Sequence, residues 1–117
     1  MEFELQSAFG SWLRAMGTPP SRLRLDAGAT FVEPDLYVPK RDWIVEAKKS
    51  SARAYVRTAI GQVLDYVHLA AKSGLNAKPI VLLPGMPEQD LVELMANLGI
   101  TTIVRNGDNF EEVFPGK

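Results

Sequence analysis

The chain has no cysteine and only one histidine in its 117 residues, and each shortage removes a class of chemistry. Without thiols there are no disulfides, no Cys-ligated zinc, no iron–sulfur cluster and no thiol nucleophile. One imidazole cannot build a His-rich metal site. Any metal held by this chain must therefore be bound by oxygens, which suits a hard cation such as magnesium or manganese. Long apolar runs are also missing: the longest tight cluster is Ile80-Val81-Leu82-Leu83, far short of the roughly 18 residues that suggest a membrane span. The acidic opening Met1-Glu2-Phe3-Glu4 is not the positively charged start of a secretory signal. Together with the absent thiols it leads to the expectation of a cytoplasmic protein with no membrane partner. No Gly-x-x-x-x-Gly-Lys-[Ser/Thr] loop is present, so no nucleotide-driven motor is expected.

What is present points to a folded domain. A composition of 46% hydrophobic and 23% charged residues excludes disorder as a whole-chain state. The length predicts one domain over residues 1–117, of a size that larger proteins carry as a catalytic module. The formal net charge of −1 argues against coating nucleic acid by bulk attraction. The charges are unevenly spread: residues 1–60 carry nine Lys/Arg against seven Asp/Glu, and residues 61–117 carry four against seven. The basic groups of the first half are the ones a polyanion would meet.

Apolar residues at three- and four-residue spacing, Leu5, Ala8, Phe9, Trp12, Leu13 and Met16, predict a first helix that stops at Gly17. Short strand-like pieces follow at 23–25, 30–32, 35–38 and 43–47, separated by turn residues and expected to be antiparallel neighbours. A second helix is predicted over 51–72, with Val56, Ala59, Ile60, Val63, Val67 and Ala70 on one face. The unalternating run 78–83 reads as a strand buried on both faces, which requires helices above and below it. Pro87-Glu88-Gln89-Asp90 opens a third helix carrying Leu91, Leu94, Met95 and Leu98, and residues 100–104 form a last strand. The order α-β-β-β-α-β-α-β predicts an α/β fold: a three-layer α/β/α sandwich whose central mixed sheet runs from an antiparallel meander into a parallel crossover.

Three ionisable side chains fall in the strand region: Asp35, then Glu46 and Lys48, which a two-residue period puts on one strand face. Trp43, Val45 and Ala47 take the other face. The structural explanation is a cross-strand ion pair on a solvated sheet face; the functional one is a carboxylate cradle for a metal. Glu33-Pro34-Asp35, ten residues, then Glu46-Ala47-Lys48 after the apolar Trp43-Ile44-Val45 resembles the PD-(D/E)XK motif of the restriction-endonuclease-like nuclease superfamily. Gln62 and Tyr66 in the following helix resemble the QxxxY signature of one branch of that superfamily. The element order αβββαβ, plus a further αβ, is similar to its core, so the resemblance spans roughly residues 1–84.

The resemblance implies a magnesium-dependent DNA nuclease, with manganese able to substitute, in restriction or other defence, DNA repair or recombination. It implies that Asp35, Glu46 and the Ala47 carbonyl ligate the metal and that Lys48 manages the attacking water. Gln62 would hold a nucleotide or a metal-bound water, and Tyr66 a phosphate. Lys49, Arg53 and Arg57 are candidate phosphate contacts, and Arg22, Arg24, Lys40 and Arg41 candidate extensions of a basic rim. Glu2 and Glu4 are candidates for the extra metal-assisting glutamate that many members carry on the first helix. Targeting is expected to come from a homo-oligomer, another domain or a partner protein. Two other readings use the same core: a catalytically silent DNA-binding or protein-interaction module, and a Holliday-junction resolvase, from which the Gln62–Tyr66 pair points away.

Overall fold

A computed structural model describes residues 2–116, with side chains from residue 3 onward. Helix α1 (Glu2–Ala15) forms on the predicted spacing and buries Leu5, Phe9 and Leu13. It ends before Gly17, whose φ of 77° is the left-handed conformation that closes helices and that glycine adopts without strain. Strands β1 (Leu25–Asp26) and β2 (Phe31–Val32) pair antiparallel with each other and, among the described residues, with no other strand. The expected meander of successive neighbours is therefore corrected: β1 and β2 make a separate ribbon, and only two strands between the first two helices enter the main sheet.

That sheet contains β3 (Leu36–Val38), β4 (Trp43–Ala47), β5 (Lys78–Leu83), β6 (Thr101–Asn106) and β7 (Asn109–Val113), in that spatial order. The β3/β4 and β6/β7 pairs are antiparallel, whereas β4/β5 and β5/β6 are parallel. Parallel neighbours need a crossover element, and α2 (Arg53–Lys72) and α3 (Gln89–Asn97) supply the two. Strand β7 was not expected. It returns from β6 through a two-residue turn in which Gly107 takes a φ of 64°, and Asn106 pairs with Asn109.

Two apolar clusters lie on opposite faces of the sheet. On one, Leu5, Phe9 and Leu13 of α1 pack with Trp43, Val45, Ile80, Leu82 and Ile103. On the other, Val56, Ala59 and Val63 of α2 and Leu91 and Met95 of α3 pack with Ile44, Val81, Leu83 and Val104. The sandwich thus has α1 below and α2 with α3 above a mixed sheet. Each fully buried Leu, Ile or Phe contributes about 1.5–3 kcal/mol through removal of apolar surface from water. In α3 the buried face is Leu91, Val92 and Met95, whereas the expected stripe residues Leu94 and Leu98 are 41% and 44% exposed. Among the described residues, no helix is long and apolar enough to cross a membrane.

Candidate active site

Strand β4 is where the chain places charge inside its core. Trp43, Val45 and Ala47 pack toward α1 and Ile44 packs toward α2, all buried. Glu46 shares the face of Ile44 by the two-residue period and is only 4% exposed. Lys48 is 8% exposed, with its backbone N–H donating to the Leu82 carbonyl at 3.1 Å, so the parallel ladder extends one residue past the strand end. Its Nζ lies 3.4 Å from Glu46 Oε2. The solvated ion pair offered by the sequence is thus replaced by a buried one.

Asp35 precedes β3, and the pairing of Leu36 with Val45 brings it beside the end of β4. Its Oδ2 accepts a hydrogen bond from the Ala47 N–H at 2.9 Å. Ala47 is fully buried, so Asp35 satisfies a backbone donor that water cannot reach. The second Glu46 oxygen, Oε1, is buried without a hydrogen-bond partner. Burial, reinforced by the charge of Asp35 and opposed by Lys48, pushes the Glu46 carboxyl up to about 7. A carboxylate held out of water beside a second carboxylate, with one oxygen unpaired, is costly unless something else binds it. Its donor set, the open Glu46 oxygen together with the Asp35 carboxylate, suits a hard divalent cation. Among the described residues no third Asp, Glu or His joins these two in a group that could hold a metal.

Helix α2 lies over β4 and β5 and overlooks this pair. Burial raises the Tyr66 phenol above its ordinary value, and the charges of Glu46, Asp35 and Asp65 add to that rise, so its ring stands in the field of both carboxylates. Gln62, one turn earlier, is half-buried, with its Oε1 out of contact with water and unpartnered. A cavity of about 250 Å³ lined by Lys48, Ala54, Tyr55 and Thr58 opens onto the same side. Tyr55 and Thr58 were not among the sequence candidates. Stepping the Gln62–Tyr66 stripe back by one and two turns reaches both, which is the signal that identifies them.

The basic candidates separate. Arg57 is exposed on α2, and exposed Lys49 lies with its Nζ 5.7 Å from the Tyr55 ring centroid. Arg53 instead bridges Glu88 at 3.2 Å and Asp90 at 2.6 Å. Arg41 stacks over Trp43 at 4.7 Å and donates to Thr18, and Lys40 donates to the Gly17 carbonyl. The last two tie the α1 terminus to the turn before β4. Arg105 is a further cation that the sequence left aside. With Lys49, Glu4, Leu5 and Pro84 it lines a cavity of about 260 Å³, and it pairs with Glu4 at 3.6 Å. Glu4 therefore faces a cation, and the Glu2 side chain lies outside the described residues.

No family model matches the chain, and no curated protein or solved structure matches it.

Proposed function

We propose that the chain is a magnesium-dependent DNA nuclease of the PD-(D/E)XK, restriction-endonuclease-like kind, hydrolysing phosphodiester bonds in the cytoplasm. The observation that carries this reading is the buried Glu46 carboxylate, held with one oxygen unpartnered in the field of Asp35 and beside Lys48, which lines a cleft. Asp35, Glu46 and the Ala47 carbonyl would hold the metal, and manganese could replace it. A bound divalent ion supplies Lewis-acid stabilisation of charge on the phosphate and acidifies bound water. Lys48 lines the cleft on which the scissile phosphate would sit, close enough to Glu46 to orient the attacking water and to take part in moving its proton. The Tyr66 phenol, protonated at neutral pH and raised further by burial and the nearby carboxylates, would act as a hydrogen-bond donor toward a phosphate oxygen. Gln62 would orient a nucleotide or a water.

A second reading, a catalytically silent module of the same architecture, is favoured by one observation: Asp35 already serves the Ala47 N–H and Lys48 already pairs with Glu46. Incubation with linear duplex, circular and single-stranded DNA in magnesium, manganese or chelator separates the two. Metal-dependent cutting lost on Glu46→Gln supports the nuclease. Intact DNA at millimolar metal in every case supports the silent module.

A further inference from the structure

The β1–β2 ribbon lies outside the main sheet, yet it is firmly attached. Leu25 is 2% exposed and belongs to the apolar cluster beneath α2, against which Leu23 and Val32 also pack. The ribbon also contacts α2, the helix that carries Tyr66. Only two residues separate Val32 from Asp35.

The alternation that turns Leu23, Leu25 and Val32 inward turns Arg22, Arg24, Phe31 and Glu33 outward, where together they line an open concavity. Phe31 is 58% exposed, and the Arg24 guanidinium carbon sits 4.3 Å from its ring centroid. Arg22 pairs with Glu33 at 2.8 Å and Arg24 approaches it at 3.9 Å. These arginine side chains are 86% and 65% exposed, and ion pairs so open to water contribute little, so a phosphate can exchange for the carboxylate.

We propose that this outward face is a stacking platform for an unpaired nucleotide of a DNA strand entering the cleft. The inference rests on the nuclease reading for its choice of DNA. The planar Arg24 guanidinium lies over one face of the Phe31 ring, and a base can stack on the exposed part of the ring or on the outer face of the guanidinium. Arg22 and Arg24 stand against Glu33 and against Asp26, which pairs with Phe31 across the ribbon and shares its face, so the patch is neutral overall and the flanking phosphate would be met locally, by the arginines in exchange for Glu33. A duplex, with its bases already stacked on each other, has no face to offer Phe31. The platform therefore favours single-stranded segments, frayed ends or flaps.

The test is fluorescence anisotropy of a labelled oligo-dT and of a labelled duplex of equal length, both in chelator so that nothing is cut. Phe31→Ala should weaken oligo-dT binding about tenfold, the order of one lost base–aromatic stack, and change duplex binding less than about twofold. Phe31→Trp should restore oligo-dT binding, and its added emission should be quenched on titration. Unchanged oligo-dT affinity in Phe31→Ala, or an equal loss on both DNAs, would overturn the platform, as would an unquenched Phe31→Trp. Failure of the nuclease reading looks different: oligo-dT binding keeps its Phe31 dependence, but no DNA is cut in any metal.

Discussion

At the scale of single residues, Glu46 sets the pH behaviour of the metal-free protein. Its carboxyl is raised to about 7 in the folded state against an ordinary value near 4.5. A group raised on folding favours the native state fully below its unfolded value, and that contribution is lost as pH rises through the folded value. Stability from Glu46 is therefore expected to fall between about pH 4.5 and 7, by on the order of 3 kcal/mol. Glu46→Gln mimics the neutral acid, so it should match the wild type near pH 4.5 and be more stable at pH 8. Urea midpoints at both pH values check this, and parallel midpoints at the two pH values would show that the carboxylate is not penalised by burial. Lys48 is tested by rate. Lys48→Ala should slow single-turnover cleavage by about a hundredfold or more while DNA affinity changes little, the pattern of a group acting in the transition state. It should also move the acid limb of the rate profile to higher pH, because Lys48 is what opposes the upward shift of Glu46. Cleavage at the wild-type rate would remove Lys48 from the mechanism.

At the scale of elements, Asp35 joins two roles that substitution can separate. It begins the turn into β3 and, by accepting from Ala47, continues the β3–β4 ladder beyond the last backbone pair. Asp35→Ala leaves a buried N–H unsatisfied, at a cost of about 1–3 kcal/mol that offsets relief of repulsion with Glu46. Asp35→Asn keeps the acceptor and removes the charge, so it should be at least as stable as the wild type at pH 8, by urea denaturation, and still fail to cut DNA. An Asp35→Asn protein that cuts normally would leave Asp35 as a strand-end clasp alone. The sequence made this strand pair legible because the Glu46–Lys48 period and the apolar Trp43-Ile44-Val45 are local signals. Helices α1 and α2 were legible for the same reason. Strand β7 was harder to read, since Asn109-Phe110-Glu111-Glu112-Val113 is short and acidic and buries mainly Phe110; its clearest signal was the Asn106-Gly107 turn. The separation of the ribbon from the sheet was not legible at all. Two-residue strands carry too little pattern to choose a partner, and packing of Leu25 beneath α2 decides it. The burial of Glu46 was equally hidden, because whether α2 covers that face depends on a long-range crossover.

At the scale of the whole molecule, the small net charge conceals an arrangement that governs how DNA can approach. Lys48 and Lys49 leave the end of β4, and Arg105 lies near the end of β6; these strands are parallel, so their carboxyl ends share one edge. Ligands of open α/β sheets gather at that edge. Arg57 stands on the helix that covers it, whereas α3 and β7 carry Asp90, Glu93, Glu111 and Glu112 on exposed positions. A polyanion is therefore drawn to the strand ends and repelled by the α3–β7 side. Arg53 lies between the two regions, but it is held by two carboxylates, Glu88 and Asp90, whereas Arg105 faces the single carboxylate of Glu4. If the strand-end edge is the DNA path, Arg57→Ala, Lys49→Ala and Arg105→Ala should each weaken duplex binding and lower the magnitude of the log K against log salt slope by about one. Arg53→Ala should leave the slope unchanged, because no counterion is released from a phosphate that Arg53 does not touch. Duplex titrations in chelator at several salt concentrations measure all four. A loss of slope in Arg53→Ala equal to that in Arg57→Ala would show that DNA displaces the α3 carboxylates and runs over the start of α2. An unchanged slope in Lys49→Ala and Arg105→Ala would remove the α1 side of the edge from the path, leaving the approach to the α2 face and the ribbon.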